Sequence, residues 1–176
     1  MAARKTHNPQ PSAAPARWLT AAEEQTWRNF ASVLLQLPWA LECQLQRDAE
    51  LSFIEYHALA SLSDAPDHTR RMSELATLTN ASLSRLSHMI KRLETRGFVR
   101  REPDPTDGRY TNAILTPDGH DHLTSAAPAH VATVRQLVID AFTMTELRQL
   151  DDAAERILRR LDQAPADEAS GRDVHT

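Results

Sequence analysis

The sequence predicts a mainly α-helical chain with one small β-hairpin, and three patterns indicate this fold class. Apolar residues recur at helical spacing over most of the chain. Three Ser/Thr-x-x-Glu capping boxes mark the starts of helices. Residues 98–102 and 111–115 are strand-like and flank a turn rich in Pro, Asp and Gly. We therefore expect helices on both sides of a single hairpin.

The first two helices are predicted from their capping boxes. Thr20 and Glu23 open a long helix that ends near residue 48, and Pro38 should kink it. Ser52 and Glu55 open a second helix that runs to about residue 63. Residues 64–68 are rich in Asp, Pro and His, which predicts a loop before the next helix.

The segment from Leu75 to Thr116 is predicted to form a helix, a tight turn, a second helix and then the hairpin. In the second helix, Leu83, Leu86, Ile90 and Leu93 form one apolar stripe that should face the core. The positions farthest from this stripe are all polar and mostly cationic, namely Ser84, Arg85, His88, Lys91, Arg92 and Thr95. A solvated basic face is the ordinary explanation for such a helix taken alone.

The hairpin that follows favours a role in binding DNA. Gly97 has the position of a helix C-cap, and Arg109 stands at the far end of the turn, where a guanidinium could enter the minor groove. Asp107 or Asp104 could orient it. This layout is that of a winged helix-turn-helix, whereas an Asp-Gly-Arg tripeptide alone would be an ordinary surface turn.

The predicted DNA contacts divide by their place on the second helix. Arg85 and His88 lie near its start, where base edges in the major groove are usually contacted, whereas Lys91 and Arg92 suit phosphates. Three serines cluster at the same start, and two of them, Ser82 and Ser84, join the predicted contacts. Because hydroxyl groups bond to either base type, the sequence predicts no base preference.

Two further helices are predicted after the hairpin. Thr116 and Pro117 begin one that continues at helical spacing to Phe142, with Pro128 as a possible bend. A third capping box, Thr143 to Glu146, begins the last helix, whose broad apolar face needs a partner. We expect two chains to pair through these helices, which would set two half-sites roughly 34 Å apart on DNA. Packing within one chain is the alternative.

The expected organisation has four parts. Residues 18–50 and 117–162 form a helical dimerisation region, and residues 51–116 form the winged helix-turn-helix DNA-binding region. Residues 1–17 and 163–176 are polar tails that we expect to be disordered.

Charge is segregated along the chain. The formal net charge is -4, yet residues 70–110 carry nine Lys and Arg against five Asp and Glu, so this segment is +4 and the remainder is -8. A basic segment on an acidic body favours DNA binding through one face. With no apolar signal segment at its start, the chain is expected in the cytoplasm. No phosphate loop or nucleophile motif is present, so we expect neither enzyme activity nor a cofactor.

The segment from residue 72 to residue 119 resembles the MarR (multiple antibiotic resistance regulator) family of transcription factors. Residues 72–76 are similar to the family's first helix of the helix-turn-helix, and residues 92–101 resemble its junction between helix and wing. Asp104, Asp107, Gly108 and Arg109 resemble the wing tip, and residues 115–119 resemble the step into the next helix. In organisation, the resemblance extends over roughly residues 20 to 162.

The resemblance implies a homodimeric repressor of a palindromic operator, bound as double-stranded DNA and released by a small-molecule effector. In the family, effectors often lie between the dimer helices and the DNA-binding lobe. Trp27, Trp39, Tyr56 and His57 are the candidate effector contacts, because they lie on the first two helices near that junction. Core or dimer packing is the alternative role of these rings.

Three other hypotheses remain open. The chain could be a winged-helix module that binds protein and no specific DNA. It could sense redox state through Cys43, as some members of the family do near the first helix, although a small apolar role beside Leu41 and Leu45 is the simpler interpretation. His120 and His122 could bind a metal, but residues two apart point to different helix faces, which favours a solvated helix start.

Overall fold

The computed structural model describes residues 17–163, which form six α-helices and three short strands. In chain order they are α1 (Ala21–Ala49), α2 (Phe53–Ser63), β1 (Thr69–Arg71), α3 (Met72–Leu78), α4 (Leu83–Thr95), β2 (Val99–Pro103), β3 (Thr111–Leu115), α5 (Pro117–Leu137) and α6 (Met144–Gln163). The predicted fold class, mainly α with a small β wing, is confirmed. Apart from Arg17 and Gln163, the tails that we expected to be disordered lie outside the described residues.

All three predicted capping boxes form hydrogen bonds. The Ser52 hydroxyl accepts from the Glu55 N–H at 3.2 Å, and the Glu55 carboxylate accepts from the Ser52 N–H at 2.9 Å. The pairs Thr20 with Glu23 and Thr143 with Glu146 make the same reciprocal contacts. These bonds satisfy backbone donors that a helix start leaves free, which explains why these three starts were predictable.

The hairpin belongs to a three-stranded antiparallel sheet of order β1-β3-β2. The register of the hairpin sets Val99 opposite Leu115 and Pro103 opposite Thr111. The third strand, β1, pairs Arg70 with Ala113, and it follows the predicted loop of residues 64–68 in a segment for which no strand was predicted. It has only three residues, too few to show an alternating pattern that would predict a strand.

The hydrophobic core lies between α2, α3, α4, α5 and the sheet. Its largest fully buried side chains are Leu45, Leu51, Leu59, Leu62, Leu75, Leu86, Ile90, Leu93 and Val99. Residues 79–82 make the turn from α3 to α4, and there Asn80 adopts a left-handed φ of 48°, which Asn tolerates better than most residues. At the other end of α4, Gly97 has φ 79°, as its predicted role as a C-cap requires.

Two sequence expectations about the helices were wrong. Leu83 does not face the core but is 57% exposed, because it is the first residue of α4 and lies in the cleft between this helix and the hairpin. Met89 is buried instead. The helix expected to reach Phe142 ends at Leu137, and a short 3₁₀ turn, Ile139–Ala141, precedes α6.

The chain divides into two compact units, one ending at Gln36 and the other beginning at Leu37. In the first unit, the described residues are residues 17–20 and the N-terminal part of α1. They include the exposed apolar side chains Trp18, Leu19, Trp27, Val33, Leu34 and Leu35. The second unit contains the sheet, the core and α2 to α6. Within it, α6 buries no residue and leaves Met144, Leu150, Ile157, Leu158 and Leu161 exposed.

Candidate nucleic-acid interface

Helix α4 presents a polar face because its apolar residues after Leu83 are all buried in the core. Leu86, Met89, Ile90 and Leu93 are buried and follow helical spacing. Ser82 caps the helix, since its hydroxyl oxygen accepts from the Arg85 N–H at 3.3 Å. The hydroxyl hydrogen of Ser82 remains available to a phosphate oxygen.

Three of the predicted cationic contacts on α4 are free to bind a ligand. The side chains of Arg85, His88 and Lys91 are exposed, and within residues 17–163 none of them forms a hydrogen bond or an ion pair. Ser84 is exposed on the same face. A row of uncommitted donors on an exposed helix face suits binding to phosphates and base edges.

Arg92 differs from these residues because it already has a partner. Its Nη2 and Nε donate to Oε1 of Glu55 at 2.9 and 3.2 Å. The Arg92 side chain is still 63% exposed, whereas the Glu55 side chain is only 8% exposed. No sequence pattern predicts this pair, since the two residues are 37 positions apart and belong to different helices.

The turn of the hairpin is organised around the carboxylate of Asp104. Its Oδ1 accepts from the Thr106 hydroxyl and from the N–H groups of Thr106 and Asp107, while Oδ2 accepts from Arg71 Nε at 2.8 Å. These hydrogen bonds, those from Thr106 foremost, hold the pKa of Asp104 well below its ordinary value. The carboxylate therefore stays charged and keeps the wing in one conformation.

Asp107 orients Arg109, and Asp104 does not. Arg109 Nη2 donates to Asp107 Oδ2 at 2.7 Å, and Arg109 Nε donates to Asp107 Oδ1 at 3.0 Å. The pairing raises the pKa of Arg109 and lowers that of Asp107. Because the Arg109 side chain remains 86% exposed, the pair directs the guanidinium without enclosing it.

A cleft of about 370 Å³ lies between α4 and the wing. Its lining combines guanidinium, hydroxyl and apolar groups, from Met72, Ser73, Leu83, Ser87, Arg101, Arg109, Tyr110 and Thr111. Arg101 also pairs with Glu94 at 2.6 Å, which fixes β2 to the end of α4. The cleft brings the wing-tip arginine and the start of α4 to one surface.

Arg71 and Tyr110 lie beside the candidate interface and were not predicted from the sequence. The Arg71 guanidinium lies over the Tyr110 ring, 4.7 Å from its centroid, in addition to its contact with Asp104. The pattern gave no reason to select them, because their contact joins β1, which was not predicted, to the wing.

The four candidate effector residues are not all brought together. Tyr56 and His57 are ring neighbours at 6.2 Å on α2, and the Tyr56 ring lies 4.3 Å from that of His130 on α5. Trp39 is exposed on the part of α1 that belongs to the second unit. Trp27 belongs to the first unit, where its ring lies 6.4 Å from that of Phe30.

The histidines and the cysteine are placed differently from their expected settings. His122 is not solvated: its Nε2 donates to the Ala49 carbonyl at 2.9 Å, and its ring stacks on Phe98. Among the described residues, no cluster of three metal-ligating side chains occurs. Cys43 is an exposed free thiol rather than a packed apolar group between Leu41 and Leu45.

No helix in residues 17–163 combines the length and the apolar character that a membrane crossing requires.

Comparison with known proteins gives one consistent family. The model of the MarR family matches residues 51–111. Sco3205, a MarR family transcriptional regulator from Streptomyces coelicolor whose crystal structure is a complex with DNA, is 39% identical with a TM-score of 0.82, and the match covers 88% of this chain and 96% of that one. AbsC, another MarR family regulator of that organism, is 40% identical with a TM-score of 0.80, over 84% of this chain and 99% of AbsC.

A similarity to a repressor is found by sequence as well. The transcriptional repressor MprA of Escherichia coli (strain K12) is 30% identical over 112 residues, which are 64% of this chain. The match spans 63% of MprA, slightly less than two thirds of that protein.

Proposed function

Because the chain belongs to the MarR family of transcriptional regulators, we propose that it is a sequence-specific DNA-binding repressor that acts as a homodimer on a palindromic operator. One observation carries the proposal. Helix α4 carries uncommitted donors, among them Arg85 and Lys91. Leu83 and Ser87 of the same helix share a cleft with Arg109, which Asp107 holds in an exposed position. The similar proteins are regulators rather than enzymes, which supports a role without catalysis.

In this proposal the contacts have distinct roles. Arg85 and His88 contact base edges in the major groove, and Ser84 and Lys91 contact the neighbouring phosphates of the DNA backbone. Ser82 donates its free hydroxyl hydrogen to a phosphate while it caps α4. Arg109 enters the minor groove next to this site, and Asp107 fixes its direction. DNA binding would place the protein with the chromosome, in the expected cytoplasm.

Dimerisation follows from apolar surface that each unit leaves uncovered. The helix α6 has no buried residue, although Ile157, Leu158 and Leu161 lie on it within about one turn. A second copy of the chain is the partner that also explains a twofold operator, since two α4 helices would read half-sites one turn of DNA apart. The expected regions 18–50 and 117–162 supply these dimer contacts.

Release by a small-molecule effector is the remaining part of the proposal. The aromatic rings of Tyr56 and His57 on α2, and the exposed Trp39 on α1, offer apolar and polar contacts of the kind that bind small molecules. A compound that binds there should quench tryptophan fluorescence in proportion to the operator that it releases.

Two substitutions test DNA binding directly. Arg85→Ala and Arg109→Ala should each weaken binding to an operator duplex by a factor of about 10 to 100, since a bidentate base contact contributes about 1–3 kcal/mol. Arg148→Ala, a charge removed from α6, is the matched control and should bind as the wild type does. If the wild type retains no specific duplex, the proposal fails and a protein-binding module becomes the better account.

A further inference from the structure

Two arginines at the C-terminal end of α4, Arg92 in its last turn and the C-cap residue Arg96, contact the corner where α1 ends and α2 begins. Arg92 pairs with Glu55 of α2 through Oε1, at 2.9 Å from Nη2. Arg96 donates from Nη1 to the backbone carbonyl of Glu50 at 2.7 Å. Because the two arginines are one helical turn apart, they lie on the same edge of α4.

The carboxylate of Glu55 is fully occupied by structural contacts. Oε2 accepts from the Ser52 N–H at 2.9 Å, while Oε1 accepts from Arg92. Burial raises the pKa of Glu55, but the hydrogen bonds from Ser52 and Arg92 outweigh burial and leave the pKa below its ordinary value. Glu55 therefore stays charged, and its charge balances that of Arg92.

The corner itself offers carbonyl groups that need donors. Glu50 has a left-handed φ of 52°, which ends α1 and leaves its carbonyl outside the helix. Arg96 satisfies that carbonyl, and His122 satisfies the preceding one, of Ala49, at 2.9 Å. Arg96 also lies 4.6 Å from the centroid of the Phe98 ring. Positive groups at a helix C-terminus are favoured by the helix dipole as well.

Lys91 lies on a different face of α4 from Arg92 and Arg96. At about 100° per residue, Lys91 points away from the buried stripe, whereas Arg92 turns toward the corner. Lys91 is exposed and, within the described part of the chain, forms no ion pair. The basic residues of α4 therefore divide into a free outward set and a set already bound to protein.

We propose that Arg92 and Arg96 are positioning residues, which fix α4 against the α1–α2 corner, and that Lys91 is the phosphate contact in this part of the helix. This assignment rests on the proposed DNA-binding function and replaces the phosphate contact first expected of Arg92. If Arg92 bound a DNA phosphate, few counterions would be released from the DNA, because Glu55 already neutralises the guanidinium.

The test compares operator and nonspecific duplexes over a range of salt concentrations. Lys91→Gln should reduce the slope of log affinity against log salt by about 0.9, and it should lower the affinity for both duplexes by the same factor. Arg92→Gln should leave that slope unchanged. It should lower the affinity for the operator duplex by about tenfold and leave the affinity for the nonspecific duplex unaltered. A loss of fold stability alone would not change the ratio of operator affinity to nonspecific affinity in protein that is folded at the assay temperature.

Glu55 separates the two roles of Arg92. If Arg92 positions α4, then Glu55→Gln lowers operator affinity as Arg92→Gln does. The double variant then binds the operator no more weakly than either single variant. If Arg92 binds phosphate, Glu55→Gln frees the guanidinium and strengthens binding, which would overturn the proposal. Arg92→Lys should restore part of the operator preference, since an ammonium group can still reach the carboxylate.

Arg96 gives an independent comparison should the Glu55 variant not fold. Arg96→Gln removes a bond to a backbone carbonyl and leaves the buried carboxylate paired, so it should lower operator preference with an unchanged salt slope. A reduced slope in Arg92→Gln or Arg96→Gln, with operator binding by the wild type, contradicts this inference alone. A wild type that prefers no operator contradicts the proposed function and the inference together.

Discussion

Arg71 on β1 donates to Asp104 at the base of the wing, with 2.8 Å between Nε and Oδ2. The same carboxylate holds the wing turn through Thr106. One acidic side chain therefore ties the sheet edge to the loop that carries Arg109. The relationship indicates that the wing is held in one conformation before DNA arrives, which reduces the entropy lost on binding.

We expect Asp104→Asn to weaken operator binding by about tenfold, because it removes charged hydrogen bonds that order the wing. Glu102→Gln is the matched control, since Glu102 is an exposed acidic residue of β2 that pairs with Arg100. Both changes remove one negative charge beside DNA, which by electrostatics alone would strengthen binding. Stronger binding by Asp104→Asn, measured by fluorescence anisotropy, would contradict an ordering role.

Gly119 of α5 allows the helix to approach the end of α4 closely. A Cβ atom at this position would clash with the backbone oxygen of Phe98. Although Ala is the better helix former by about 1 kcal/mol, we expect Gly119→Ala to lower the free energy of unfolding by about 2 kcal/mol, since overpacking commonly costs about 1–3 kcal/mol. Urea unfolding followed by circular dichroism measures the change.

Gly108 is the control for this substitution. No atom lies within 4 Å of a Cβ built on it, so Gly108→Ala should leave the free energy of unfolding close to that of the wild type. Equal stability of the two variants would mean that the approach of α5 to Phe98 is not tight in solution.

His130 should make stability depend on pH. It is buried, and its Nδ1 donates to Gln44 Oε1 at 2.9 Å. Burial lowers the pKa of His130, and the nearby His57 lowers it further. Below the ordinary histidine value of 6.5, the unfolded chain therefore binds the proton more readily than the folded chain, so stability falls as pH falls.

His130→Gln should flatten this dependence on pH, because it removes one of the groups that protonate on unfolding. Free energies of unfolding measured by urea titration on both sides of pH 6.5 give the comparison. An unchanged slope in the variant would show that His130 takes up no proton when the chain unfolds.

The apolar side chains of α6 should be needed for dimerisation. Leu158→Glu places a charge in a surface that we expect a second chain to cover, so it should raise the dimer dissociation constant by at least about tenfold. Glu155→Gln, on the same exposed helix, is the control. Sedimentation equilibrium separates these outcomes, and a wild-type monomer at micromolar concentration would contradict the dimer.

The sequence predicted what depends on neighbours along the chain. The pairs Ser52 with Glu55 and Thr143 with Glu146 are three residues apart, and Gly97 ends α4 through its own φ angle. Asp107, two residues from Arg109, was one of the two partners that the sequence predicted for it, the other being Asp104. Each of these features is fixed by local backbone geometry.

What the sequence did not predict depends on distant contacts. Leu83 fits the apolar period of α4, yet it lies in the cleft beside Tyr110 because the wing folds back toward the helix start. Arg92 has the spacing of an outward residue but reaches Glu55, which is brought near only by the packing of α2 on the core. Periodicity cannot distinguish such positions, since it carries no information about the neighbouring element.

The most direct test of the central claim is selection of duplexes from a random pool by the purified protein at near-physiological salt, followed by sequencing. Specific DNA binding by a dimer predicts an enriched palindrome whose half-sites lie about one helical turn apart. Weak, salt-sensitive binding with no enriched sequence would contradict that claim.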